Sequence, residues 1–108
     1  VLSFLSGYVP YRSYVNLCTT SDRYFYHTDG DESDITLLYY ANIEWNPNWE
    51  GETPFASEDL QHIEYASPYV PGRVILFNAS IPHKSTQPLP GAPYYRFTFA
   101  SKFKRQNA

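Results

Sequence analysis

Four residues of this chain have the types and spacing needed for metal chemistry. His27 and Asp29 are separated only by Thr28. His83 lies much later, in an Ile-Pro-His-Lys stretch, and Arg96 follows it. Two imidazoles and one carboxylate can hold non-haem Fe(II) on one face and leave its other coordination positions open. If these side chains converge, they predict an iron site that activates oxygen.

The order of these residues along the chain is compatible with convergence. In an extended strand His27 and Asp29 project to the same side, as two ligands of one metal must. His83 follows an apolar run after a short loop, so it can approach from another strand. Arg96 is expected to point into a cavity, where its forked guanidinium matches a carboxylate. The alternative is that Arg96 pairs with an acidic residue of the fold itself.

The composition indicates one β-rich domain. A chain of 108 residues fits a single domain, and its eleven Tyr, seven Phe and nine Pro favour strands separated by turns. The net charge of −3 gives no electrostatic reason to expect nucleic acid or an anionic membrane as a partner. We therefore expect residues 1–108 to form one domain that binds neither nucleic acid nor a membrane.

Short runs of strand-forming residues alternate with turn clusters rich in Gly, Pro, Asn and Asp. No segment has a sustained helical period, and residues 58–64 could form one helical turn at most. This pattern predicts an all-β sandwich or jelly roll. The predicted strands are Tyr14–Cys18, Tyr24–His27, Ile35–Ala41, Arg73–Phe77 and Tyr94–Phe103.

Two of these strands predict a sheet with a polar inner face and an aromatic outer face. Arg96, Thr98 and Ala100 alternate with Phe97 and Phe99, and residues 35–41 alternate in a similar way. An inner face of this kind suits a ligand cavity, while the outer face needs a cover. Because the chain predicts no helix, we expect the cover to come from a segment before residue 1 or from a second subunit.

Cellular context is only weakly indicated. Cys18 is the only cysteine, so no internal disulfide can form, which favours a reducing compartment such as the cytoplasm. No apolar run is long enough to span a membrane. The first residues show neither an initiator Met nor a signal peptide, so we expect the chain to be the C-terminal part of a longer protein.

Seven pieces of the chain occur in the order found in one enzyme family. Together they resemble the 2-oxoglutarate/Fe(II)-dependent oxygenases, especially the prolyl 4-hydroxylase branch. The resemblance extends over about residues 14–103, and its strength lies in the order of the set. The pieces are Tyr24–Asp29, Ile35–Asn42, Asn46–Trp49, Gly51–Glu52, Pro71–Phe77, Ile81–His83 and Tyr95–Phe99.

The resemblance implies a double-stranded β-helix, which is a distorted jelly roll, without the helical support that precedes it in these enzymes. His27, Asp29 and His83 would bind Fe(II). Arg96, where many prolyl hydroxylases have Lys, would bind the distal carboxylate of 2-oxoglutarate with Tyr40 and Thr98. O2 would be the second cosubstrate, and ascorbate is a further candidate cofactor. The implied reaction is hydroxylation of an unactivated C–H bond, with peptidyl proline as the first candidate and a free amino acid or another small molecule as the alternative.

Two other classes of function stay open: a cupin-type metal-binding isomerase and a non-catalytic binding module. Several further residues have simpler interpretations. The acidic loop 29–34 does not have the spacing of a Ca²⁺-binding loop. His62 is expected at the surface, Cys18 as a small buried residue, and Trp45 with Trp49 as a packing cluster. Lys102, Lys104 and Arg105 are expected to form a solvated tail.

Overall fold

The computed structural model describes residues 5–106, and every long regular element in that range is a strand. No helix in this range is long and apolar enough to cross a membrane. A short 3-10 turn at Pro47–Trp49 follows the second strand. The strands are β1 (Tyr8–Cys18), β2 (Ile35–Tyr40), β3 (Thr53–Ala56), β4 (Ile63–Ser67), β5 (Val74–Asn78) and β6 (Arg96–Arg105).

One layer of the fold is an antiparallel sheet in the order β1-β6-β2-β5. The last strand therefore runs between the first and second strands, a connection typical of a jelly roll. The registers bring Cys18 opposite Arg96, and Asn16 opposite Thr98, which faces Tyr40 on the other side. This large sheet places the residues predicted to contact the cosubstrate in neighbouring positions on one face.

The second layer is smaller and is extended by single bridges. β3 and β4 form an antiparallel pair. Phe55 of β3 also bridges to His83, and His83 bridges in turn to His27. The chain segments around His27 and His83 therefore extend the small sheet. The prediction of an all-β jelly roll is confirmed, and two of its layers face each other across the predicted site.

The inner face of the large sheet is buried as the alternation predicted. Arg96, Thr98 and Ala100 are buried, as are Thr36 and Tyr40 on the neighbouring strand. The residues between them on each strand point to the opposite face, because successive side chains of a strand alternate. Most of the buried inner positions are polar or small, as expected for a sheet that lines a cavity.

The outer face of the large sheet carries apolar side chains that no described residue covers. Phe97 and Phe99 are more than a third exposed, and Val15 of the neighbouring strand is 65% exposed. Leu17 and Tyr39 continue the same surface. That another segment or subunit covers this apolar surface stays a prediction.

The structure corrects one of the predicted strands and adds two. Tyr24–His27 is not a strand: only His27 makes a bridge, and the chain before it is irregular. Residues 58–64 form a turn that leads into β4, and no helix, as predicted. β3 and β4 were not predicted, because Pro54 weakens the strand pattern of β3 and four of the five β4 residues are exposed.

A cluster of aromatic rings fills the end of the fold behind Arg96. Tyr69 stacks on Tyr40 with ring centroids 4.4 Å apart, and Trp45 packs on Tyr69 at 4.5 Å. The Tyr69 hydroxyl accepts a hydrogen bond from the Asn42 backbone N–H at 2.9 Å and also lies within bonding distance of the Asn42 side chain. One buried phenol therefore fixes the loop that follows β2.

Replacing Tyr69 by Phe is expected to destabilise the fold. The ring stacking would remain, but the part-buried Asn42 N–H would lose its acceptor, which costs about 1 kcal/mol or more. Chemical denaturation of the variant measures this loss. Tyr39→Phe is the matched control, because Tyr39 lies on the exposed outer face, and its change is expected to stay within about 0.5 kcal/mol. Equal effects of the two substitutions would contradict the role of the Tyr69 hydroxyl.

Candidate metal centre

His27 and His83 are brought together by the backbone. Each residue donates its N–H to the carbonyl of the other, and both distances are 3.0 Å. The two residues therefore lie directly opposite each other in an antiparallel bridge, where side chains share one face. Their rings are 4.6 Å apart between centroids. The chain that follows His27 is held by the Asp29 N–H, which donates to Ala79 O at 2.8 Å.

Both imidazoles present the same nitrogen to the site. His27 Nδ1 lies 3.1 Å from Phe25 O, and His83 Nδ1 lies 2.8 Å from Ile81 O. A neutral imidazole that donates from Nδ1 keeps an unprotonated Nε2, which is the form that binds a metal. In each case the acceptor is the carbonyl two residues earlier, so the local chain itself sets the ring orientation.

The Asp29 carboxylate lies between the two rings. Its Oδ1 is 3.5 Å from His27 Nε2, and its Oδ2 is 3.0 Å from His83 Nε2. The three candidate ligand atoms all lie within 4.8 Å of one another. Thr36 donates to Asp29 Oδ2 at 2.8 Å from the large sheet. The residues predicted as metal ligands thus converge, and their donor set and orientation fit a divalent cation.

The electrostatics of the cluster keep Asp29 ionised. Burial alone would raise the pKa of the Asp29 carboxyl, but hydrogen bonds from His27, His83 and Thr36 outweigh it and hold that pKa well below its usual range. The hydrogen bond to Asp29 raises the pKa of His27, against the opposing effects of burial and Lys102. A metal ion arriving at the site therefore meets a charged carboxylate and displaces any proton held by His27.

Lys102 belongs to this site, although the sequence predicted a solvated tail. It lies within β6, and its Nζ is 3.3 Å from Asp29 Oδ1. Burial lowers the pKa of Lys102, but its attraction to Asp29 and to Tyr14 outweighs that effect and the pKa is raised. The prediction failed because a basic run near the end of the chain does not reveal that β6 continues inward past Ala100.

Arg96 is fully buried and has no carboxylate partner among the residues that the structure describes. Its Nε donates to Gly51 O at 2.7 Å and its Nη2 donates to Thr53 Oγ1 at 2.8 Å. Gly51 has φ +83°, and a Cβ there would lie 3.0 Å from Trp45 and 3.4 Å from the Arg96 side chain. Neutral oxygens hold the guanidinium, so its charge has no counter-ion within residues 5–106.

Thr53 connects Arg96 with Tyr40, another residue predicted to bind the cosubstrate. Its Oγ1 accepts from Tyr40 Oη at 2.8 Å and also from Arg96. Two accepted bonds occupy both lone pairs of a hydroxyl and leave its hydrogen free to donate. Thr98 Oγ1 is buried without a hydrogen-bond partner. Thr53 escaped the sequence analysis because β3 was not recognised as a strand.

A cavity of about 50 Å³ lies between the two layers. Its lining includes His27, Asp29 and His83 together with Thr53 and Asn16. The cavity volume is far smaller than the several hundred Å³ of ordinary ligand sites, so a bound molecule requires some lining side chains to move. Its walls also include Tyr14, Thr36, Leu38, Phe77, Lys84, Ser85 and Ala100.

Other candidate residues lie away from this cluster. His62 is exposed and is 3.7 Å from Glu64 at the surface. Trp45 and Trp49 are in edge-to-face contact at 5.4 Å, so they form the packing cluster that was predicted. Cys18 is buried, with its sulfur 3.8 Å from Arg96 Nη1.

No protein family model matches the sequence, and no curated protein matches it. Among solved structures, a prolyl-4-hydroxylase from Pseudomonas putida is similar, with a TM-score of 0.63 and 19% sequence identity. The chain shares the fold of that enzyme. The match covers 89% of this chain and 51% of the Pseudomonas chain, so this chain spans about half the length of the solved structure. At this identity the likeness establishes the fold and leaves the activity open.

Removal of a ligand is expected to abolish tight metal binding. His83→Ala deletes the more buried of the two imidazoles, and loss of one of three protein ligands should weaken Co(II) binding by at least about 100-fold. Titration of the visible Co(II) absorption measures this affinity. His62→Ala is the matched control and is expected to bind Co(II) like the unmodified protein. Unchanged Co(II) affinity in His83→Ala would disprove the ligand assignment.

Proposed function

We propose that this domain is an Fe(II)- and 2-oxoglutarate-dependent dioxygenase that hydroxylates an unactivated C–H bond. The observation that carries the proposal is the convergence of His27, Asp29 and His83 at a cavity that Thr53 also lines. Thr53 accepts a hydrogen bond from Arg96, which is buried without a carboxylate partner. A metal-binding isomerase needs the first feature but gives no reason for the second. A non-catalytic module gives no reason for either.

The residues of the cluster have separate tasks in this proposal. His27 and His83 would bind the metal through Nε2, because their Nδ1 atoms are engaged by backbone carbonyls. Asp29 would supply the third ligand while Thr36 holds its orientation. When bound, Fe(II) with 2-oxoglutarate and O2 supplies the oxidant for hydroxylation, and the cosubstrate leaves as succinate and CO2. The protein would orient the reactants and exclude bulk water.

Arg96 would bind the distal carboxylate of 2-oxoglutarate. A buried guanidinium is stabilised most by a planar carboxylate that accepts two parallel hydrogen bonds. The free hydrogen of Thr53 and the unpartnered hydroxyl of Thr98 would add two neutral donors to the same anion. Tyr40 would take part through Thr53. Because the cavity is small, Arg96 must exchange part of its bonding to Thr53 or Gly51 for bonds to the ligand.

Peptidyl proline is the first candidate for the substrate. The Pseudomonas structure with the same fold is a prolyl-4-hydroxylase. The metal cluster lies near an open side, where the His27 side chain is 54% exposed, and Phe25 beside it is 86% exposed. Exposed aromatic surface next to the site suits an extended peptide better than a fully enclosed metabolite. A free amino acid or another small molecule is the second candidate.

Substitution of Arg96 should separate cosubstrate binding from metal binding. Anaerobic Fe(II) with 2-oxoglutarate should give a visible charge-transfer band in the unmodified protein. Arg96→Gln should weaken 2-oxoglutarate binding by at least about tenfold, the loss expected for a charge-assisted pair, and leave Co(II) affinity unchanged. Because Arg96 is fully buried, Thr98→Val serves as a milder second variant, with circular dichroism as the check on folding. If the band shows that both variants bind 2-oxoglutarate as tightly as the unmodified protein does, the assignment of Arg96 is contradicted.

The substrate assignment is tested by incubating the domain, in the longest available form of the protein, with a library of proline-containing peptides. Hydroxylated peptides should gain the mass of one oxygen atom, with succinate formed in equal amount. Asp29→Asn is the matched inactive control. If a free amino acid stimulates succinate formation and no proline peptide does, the substrate is reassigned as a small molecule.

A further inference from the structure

Lys102 is a second inward-facing cation of the large sheet, at the opposite end of β6 from Arg96. Its side chain is 13% exposed, and its Nζ lies 3.3 Å from Asp29 Oδ1 and 5.5 Å from the Tyr14 ring centroid. Lys102 lies six positions after Arg96, so the two backbone positions are roughly 20 Å apart along the strand. The two cations therefore lie at different ends of β6.

Without a metal, the charges of Lys102 and Asp29 balance each other. Lys102 carries one positive charge and Asp29 carries one negative charge, while His27 and His83 are neutral in the form that binds a metal. A divalent cation bound to Asp29 leaves an excess of two positive charges in a largely buried site. Lys84, which lines the same cavity, adds a third. Excess buried charge of this size favours an anion in the open coordination positions.

We propose that Lys102 recognises a carboxylate that binds the metal beside Asp29, and so selects anionic ligands for the open positions of the centre. The inference rests on the proposed function, since it requires a metal on the three ligands. Once a metal neutralises Asp29, the ammonium group is free to donate to a second oxygen anion. Thr36 still donates to Asp29 Oδ2, so Lys102 is not needed to orient the Asp29 carboxylate.

Two sources could supply this carboxylate: the keto-acid end of 2-oxoglutarate, or an acidic group of the substrate. Both present the same chemistry to Lys102. Neither requires Arg96, whose guanidinium bonds to Gly51 and Thr53 and lies at the other end of β6. A ligand that has carboxylates only at the metal therefore isolates the contribution of Lys102.

The test uses Co(II)-loaded protein and oxalate, which can chelate a metal but has no distal carboxylate for Arg96. Lys102→Met should weaken oxalate binding by about tenfold or more, as expected when a charge-assisted contact is lost. Lys102→Arg should retain most of the affinity. Lys104→Met is the matched control, since Lys104 is exposed two residues further along β6. Imidazole, a neutral ligand, should bind all four proteins equally. The Co(II) absorption spectrum reports each titration.

A second comparison identifies the source of the carboxylate. If Lys102→Met weakens the binding of 2-oxoglutarate as much as the binding of oxalate, the carboxylate that Lys102 recognises belongs to the keto-acid end of 2-oxoglutarate. If 2-oxoglutarate binding is retained, the substrate is the source, and N-acetylproline should perturb the Co(II) spectrum of the loaded protein more than N-acetylprolinamide does. That difference should vanish in Lys102→Met.

The remaining outcomes overturn the proposal. Equal oxalate affinity in Lys102→Met and the unmodified protein shows that Lys102 does not recognise the anion. Loss of Co(II) affinity in Lys102→Met, with oxalate binding unchanged at saturating Co(II), assigns Lys102 to positioning Asp29 only. An unmodified protein that binds no Co(II) refutes the proposed function as well, so the two failures are distinguishable.

Discussion

The reciprocal backbone hydrogen bonds between His27 and His83 are the interaction on which the rest of the site depends. They join two segments that are far apart in sequence and extend the small sheet through Phe55 to β3. The same pair fixes the direction of both imidazoles, because each Nδ1 is engaged by a carbonyl only two residues earlier. Backbone pairing and ligand geometry are therefore one structural feature.

A second constraint arises from burying positive charge in a small β-rich domain. Arg96 is surrounded by neutral oxygens, a thiol and aromatic rings. Solvation of a guanidinium by neutral groups is weaker than pairing with a carboxylate, so the protein carries a cost that an anionic ligand can reduce. Lys102 has a local partner in Asp29, and that partner becomes shared once a cation binds. Arg96 thus lacks an anionic partner even without a metal, whereas Lys102 lacks one of its own only after a metal has bound to Asp29.

The sequence predicted the parts of this site that depend on residue type and alternation. Arg96, Thr98 and Tyr40 point inward as their strands required. His27, Asp29 and His83 also converge as predicted. Tyr24–His27 is not a strand, however, and the single bridge between His27 and His83 brings these segments together. Their role as metal ligands stays a prediction.

What could not be predicted depends on long-range pairing. Thr53 can be recognised as a site residue only when β3 is known to line the cavity and to bond to Arg96, and Pro54 weakens the sequence pattern of that strand. Lys102 resembled a surface lysine because neighbouring charges suggested solvent. Only the register of β6 against β2, which pairs Lys102 with Thr36, places it beside Asp29.

Gly51 constrains the position of Arg96 although it has no side chain. Its positive φ and the space taken by Trp45 exclude a Cβ, while its carbonyl holds Arg96. A change at this position would strain the backbone and displace the guanidinium together. Among natural or laboratory variants of this chain, tolerance at Gly51 should therefore be as narrow as at the residues that would touch the ligand. In a survey of substitutions, position 51 should group with the residues of the candidate site although it offers no functional group of its own.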